Sequence, residues 1–330
     1  MNATPTSFQS VLDALLSDRK DFPRRYLQEF SDIGALELKT LLDVWPRVKA
    51  SRKLTLLEEL TALAETDTLV SFDDVARALL TDLDPEVRMR ACRLLDECED
   101  PKVVPSYLDM LINDPDVNVR VEAAKALGLF VDLGELEEIS ADLYHQVEDA
   151  LLVSMSSEDD ARVRRAALES LGYSPRPEVV TLIESAFQRQ DPNWQTSALT
   201  AMGRSADDRW LDEVMLSLVH VDDRIRKAAV QAAGELSLQP ARPVLLKMLG
   251  EEEDADVLSA VIWSLSQIGG EDVRTYLENL LDQLEDDEQI AFLEEALDNL
   301  AFTEDLERFD LMSFDPDEEL KELDEEDDNK

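Results

Sequence analysis

Histidine and cysteine are nearly missing, with two of each in 330 residues. Cys92 and Cys98 supply no disulfide framework. They are expected as buried thiols in a reducing, cytoplasmic setting. With only His145 and His220, seryl or cysteinyl catalysis has no placed base. Glycine is scarce, at nine residues, and aromatic residues make up 6% of the chain. The phosphate-cradling and nucleophile-elbow patterns Gly-x-x-x-x-Gly-Lys, Gly-x-Gly-x-x-Gly and Gly-x-Ser-x-Gly do not occur. No run of some twenty apolar residues exists, so no membrane-spanning helix is expected. The opening "MNATPTSFQSVLDALLSDRK" lacks a charged n-region and a long apolar core, so it does not read as a signal peptide. Positive charge is also short: 32 Lys and Arg face 75 Asp and Glu, a formal charge of −43. Such a surface repels phosphate backbones and anionic lipid, which excludes nucleic acid and membrane as partners. A basic protein partner is the class left open.

A phrase fills the chain instead. "DDARVRRAALESLG", Asp159 to Gly172, places Val163, Ala167 and Leu171 at positions zero, four and eight of one helix face. Asp160 stands where a side-chain carboxylate caps the first turn. Gly172 is expected to end the helix in the left-handed conformation. A turn and a second apolar run follow. Position zero recurs as Val87, Val119, Val163, Trp194, Ile225 and Val257, with a degenerate copy at Gln289. The cap recurs as Asp84, Asp116, Asp160, Asp191, Asp222, Asp254 and Asp286. The closing glycine recurs as Gly128, Gly172, Gly203 and Gly234. An arginine follows position zero as Arg88, Arg120, Arg164 and Arg226, and is expected to pair with the capping Asp of an adjacent unit. A helical pair repeated at this period buries its apolar face only against its neighbours, so the expected fold is an all-α stack.

"DPDVNVRVEAAKALG" and "DDRIRKAAVQAAGEL" resemble HEAT repeats, in particular the short bacterial type named after phycobilisome lyases. The resemblance covers roughly Asp84 to Phe302. It implies a right-handed α-solenoid used as a scaffold, or else a lyase-like or chaperone-like subunit that handles a protein-bound cofactor such as a linear tetrapyrrole. HEAT-repeat metalloenzymes carry several His-Glu dipeptides. None occurs here, so that activity is not carried over, and neither metal nor cofactor is expected.

The organisation expected is an N-terminal helical region over 1–80 with diverged capping repeats, a solenoid over 81–302, and an acidic, disordered tail over 303–330. Leu127 to Leu171 spans 44 residues rather than 31 or 32, which places an insertion near 131–143, read as a loop on one face. His145 shares a helix face with Glu148 and Asp149. His220 is read as a cation at a helix C-terminus. Position six is polar in every copy (Arg93, Lys125, Glu169, Thr200, Gln231, Glu295) except at Trp263. Trp194 and Trp210 fall at core positions. The expected function is a non-enzymatic interaction scaffold whose binding face is formed by the second helices. Its candidate contact residues are Trp263, Arg176 and Arg209.

Overall fold

The computed structural model describes residues 7–17, 21–157 and 159–311. It divides into two compact units, Met1–Ser185 and Ala186–Lys330. Among the described residues every regular element is a helix, and each unit is an all-α solenoid stack.

The first unit opens with α1 (Phe8–Leu15), a 3₁₀ turn over Arg24–Phe30, and α2 (Ala35–Val44). Phe8 packs edge-on against Phe30 and Phe22 edge-on against Tyr26, with Phe22 and Phe30 tilted at 51°. Then come α3 (Ala50–Ala64) and α4 (Asp73–Leu79), followed by the repeat pairs α5 (Pro85–Leu94) and α6 (Val104–Asn113), and α7 (Val117–Glu135) and α8 (Ala141–Ser156). The pair α9 (Ala161–Leu171) and α10 (Pro177–Phe187) closes it. The second unit holds α11 (Pro192–Arg204) and α12 (Leu211–Ser217), α13 (Asp223–Glu235) and α14 (Arg242–Glu251), and α15 (Ala255–Ile268) and α16 (Glu271–Leu281). It ends on α17 (Asp287–Leu311), which runs on past Phe302. The apolar Met312 and Phe314 lie outside the described residues.

All seven aspartates cap their helices. Each accepts the amide two residues ahead, at 2.8 to 3.1 Å. Such a cap contributes about 1 kcal/mol. The first six residues at position zero are buried, as are Leu95, Leu127, Leu171, Met202, Ala233 and Leu265 at position eight. In the degenerate seventh copy the phase shifts. Gln289 is exposed and α17 buries Leu293, Ala296 and Leu300. First helices pack on first helices, α3 on α5, α5 on α7 and α7 on α9 in one unit, α11 on α13, α13 on α15 and α15 on α17 in the other.

The glycines do a different job from the one expected. Gly128, Gly203 and Gly234 lie inside α7, α11 and α13, and Gly172 is right-handed at φ −51°. A Cβ on Gly128 would stand 2.9 Å from Ser170 Oγ, and one on Gly234 2.8 Å from Ser264 Cβ. Both serines donate across the interface, to the carbonyls of Ala124 (2.9 Å) and Val230 (2.8 Å). Glycine is thus required for close approach of neighbouring first helices. The left-handed residues come three positions later, at Ala206 and Ser237, and at Glu137 after α7. At Ser237, the Leu238 amide donates to Ala233 (2.9 Å) and the Ser237 amide to Gly234 (2.8 Å), the two bonds of a Schellman closure.

The arginine ladder exists, with different partners. Arg88 makes two bonds of 2.7 Å to Asp114, and Arg120 bonds of 2.9 and 2.6 Å to Asp159. Arg226 makes bonds of 2.9 and 2.8 Å to Glu252. The acceptor is the acid one or two residues before the cap, because the capping carboxylate is already spent on amides. In each case Nη1 also donates to the carbonyl six residues back, Asp82, Asp114 or His220. Lys53 takes the same role on Asp82 at 2.9 Å, which also accepts from Trp45 Nε1 at 2.6 Å.

The extra dozen residues form no loop. They lengthen α7 to 19 residues and α8 to 16. Gly134 lets the Tyr144 ring lie on α7, where a Cβ would overlap it.

Candidate interaction surfaces

Apolar exposure is distributed unevenly between the two helices of each repeat. Between residues 85 and 281, exposed large apolar side chains lie on second helices or turns, and none on a first helix, among the described residues. Ile112 on α6 is 64% exposed, Val153 on α8 69%, Leu216 on α12 71%, and Tyr276 on α16 is also exposed. Leu83 and Val221, each just before a capping aspartate, are almost fully exposed. These positions follow from the sequence: second helices bury one stripe against first helices, so their far side is free.

Charge divides the same way. The second helices α6, α8, α10, α12, α14 and α16 hold twelve acidic and three basic residues. The first helices α5, α7, α9, α11, α13 and α15 hold eight acidic and twelve basic. In the first unit, Leu83, Pro105, Met110 and Asp109 line a groove of about 510 Å³ at the ends of α4 and α6. The Arg88–Asp114 pair also lines it.

Of the three candidate contact residues, Arg176 belongs to the first unit, and Arg209 and Trp263 to the second. Arg176 precedes α10 in the first unit, 2.7 Å from Asp149 and 3.8 Å from Glu148. Arg209 stands before α12 in the second unit, bound to Asp207 at 2.5 Å. Trp263 is half-buried on the first helix α15, against Phe292 with ring centroids 6.5 Å apart. Trp194 and Trp210 are buried, as their positions required.

One constellation was only half legible in the sequence, which put His145 on a helix face with Glu148 and Asp149. Glu148 on α8 is only 1% exposed. It accepts a short bond from Ser174 and faces His145 Nδ1 at 3.1 Å. The Arg176 guanidinium, with the bonds from Ser174 and the His145 ring, compensates its burial, and the cluster fixes the α9–α10 turn on α8. The helical spacing of His145 and Glu148 was a usable signal; Ser174 and Arg176 come from another element and were not. No group of His, Cys, Asp or Glu able to hold a metal ion is found among the described residues. His220 Nδ1 accepts the Asp222 amide at 3.0 Å, so the ring acts as an acceptor in a turn. Both cysteines are free and buried, and burial pushes the Cys92 thiol up to about 12. No helix among the described residues is long and apolar enough to cross a membrane.

A family model for HEAT repeats matches residues 73–143, 148–232 and 211–298, more than half of the chain. No curated protein matches. Among solved structures, Escherichia coli YibA is similar at 16% identity and a TM-score of 0.41, over 86% of this chain and 99% of that one. The CpcE–CpcF complex of phycocyanin lyase from Nostoc is similar at 20% identity and a TM-score of 0.45, over 69% and 94%. Kap121p bound to Pho4p is similar at 16% identity and a TM-score of 0.44, over 90% and 38%.

Proposed function

As the chain belongs to the HEAT-repeat family, we propose that it is a non-enzymatic cytoplasmic scaffold or adaptor that holds a basic protein partner on its second helices. One observation carries this reading: exposed aliphatic side chains and acidic charge coincide on the second helices and are both depleted on the first. Aliphatic side chains supply the apolar contact, and the surrounding carboxylates steer and select a positively charged surface. The N-terminal helices up to residue 80 cap the repeats, and the acidic residues beyond 311 add to the attracting field. Arg176 and Arg209, at the entrances to α10 and α12, lie beside this contact area.

The test is affinity capture from the protein's own cell extract at low and moderate salt, with two variants beside the wild type. One carries Leu83→Ser, Ile112→Ser and Val153→Ser on the second-helix side. The other carries Lys125→Ser and Arg162→Ser on first helices. A basic protein kept at low salt, released at moderate salt and lost only from the first variant is the expected result. Equal retention by both variants overturns the reading. Retention of nothing by the wild type moves the function toward handling a protein-bound cofactor such as a linear tetrapyrrole.

A further inference from the structure

The groove at the ends of α4 and α6 lies wholly within the first unit. Leu80 and Met110 are its buried apolar residues, and Leu83, Pro105 and Pro115 stand exposed around them. Leu83 is 98% exposed, so this leucine adds nothing to the core of its own repeat. At about 510 Å³ the groove has room for a large apolar side chain.

Three carboxylates and one guanidinium line the groove, and all but one of these charges are answered. Arg88 gives Nε and Nη2 to Asp114 and Nη1 to the Asp82 carbonyl. All three of its nitrogens are used, so it is not free to meet an anion. Asp82 is held by Lys53 at 2.9 Å. Asp109 is exposed and accepts a 2.8 Å bond from the side-chain amide of Asn113, with no ion pair among the described residues. What remains is an apolar hollow with one unanswered negative charge in its wall.

Resting on the second-helix reading above, we propose that this groove anchors the basic protein partner. It takes one aliphatic side chain of the partner, and Asp109 pairs with a lysine or arginine beside that side chain. The apolar walls favour an aliphatic over a polar side chain, and the carboxylate favours a basic over an acidic neighbour. Ile112, three residues after Asp109 on α6 and 64% exposed, extends the apolar contact past the groove.

The experiment is methionine-methyl NMR of the full chain at fixed ionic strength. The Met110 methyl, assigned through Met110→Leu, is the local reporter. The titrants are acetyl-Lys-Leu-Lys amide, acetyl-Lys-Ser-Lys amide and acetyl-Glu-Leu-Glu amide. A saturable Met110 shift with the first is expected, with roughly threefold weaker affinity in Asp109→Asn. The serine and glutamate peptides are expected to shift it little. No Met110 shift, equal response to the leucine and serine peptides, or equal affinity of wild type and Asp109→Asn overturns the assignment. Asp109 is exposed, so its substitution leaves the packing of α6 intact. Capture of a basic protein without these responses overturns the groove and spares the second-helix reading. These responses without capture keep the groove and overturn that reading.

Discussion

Replacing Gly234 by alanine separates two accounts of the repeat glycines by the sign of the effect. Gly234 lies inside α13, where alanine gains about 1 kcal/mol of helix propensity. Its new Cβ would stand 2.8 Å from both Cβ and Oγ of Ser264, whose hydroxyl is held by Val230 at 2.8 Å. It would also meet Gln267 Oε1, the end of a flexible side chain that can move aside, whereas the Ser264 Cβ cannot. Overpacking of this kind costs about 1–3 kcal/mol. A net loss of about 1 kcal/mol is expected, or about 1.5 °C in Tm for a chain of this size. Gly250→Ala is the control: nothing lies within 4 Å of its Cβ position in α14, so propensity alone acts and stability rises by about 0.5–1 kcal/mol. Urea and thermal unfolding of the two variants, and of Gly234→Ala with Ser264→Gly, read the result. If Gly234→Ala stabilises as Gly250→Ala does, the close-approach account is refuted.

Ser237→Gly relieves a left-handed residue at φ 49° and is expected to raise stability by about 0.5–1 kcal/mol in the same unfolding assay. Arg226→Ala removes a paired bond to Glu252 and strands the His220 carbonyl, and should cost about 2–3 kcal/mol, with Arg226→Lys recovering only part. Arg120 holds the Asp159 carboxyl, and Arg226 the Glu252 carboxyl, below the ordinary range, while Arg162 lowers Asp160 to about 2. These depressed values add stability above the unfolded carboxylate range, near pH 4, that is lost as pH falls towards 2. Urea midpoints are therefore expected to drop between pH 5 and 2, less steeply in Arg120→Ala. Cys92, pushed up to about 12 by burial, should resist alkylation at pH 8 until the chain unfolds, as mass spectrometry of iodoacetamide-treated protein would record.

The caps and the core were legible in the sequence because each depends on a single residue at a fixed spacing. Asp84 through Asp286 needed only their own first turn, and Val87 through Val257 only their own helix face. Contacts between repeats were less legible. The glycine column was read as helix ends because a glycine after an apolar run looks like a stop; its true partner, Ser170 or Ser264, stands one repeat away at position seven. That column is small in the repeats that face a glycine (Ser170, Ala232, Ser264), which was the available signal. The ladder arginines were given the right direction and the wrong acid, since spacing does not reveal that the cap carboxylate is already occupied. The insertion near 131–143 was taken for a loop, although "LGLFVDLGELEE" continues the helical apolar spacing of α7. Glu148 was invisible as a buried group because its charge suggested solvent, and its compensation by Ser174 and Arg176 is tertiary.

The central claim is that the second helices hold the partner. Hydrogen exchange of the full chain, alone and with the purified captured partner, tests it most directly. Slowed exchange concentrated in α6, α8 and α12, and weakened by moderate salt, is the result the account predicts. Slowing confined to the first helices, or binding indifferent to salt, would contradict it.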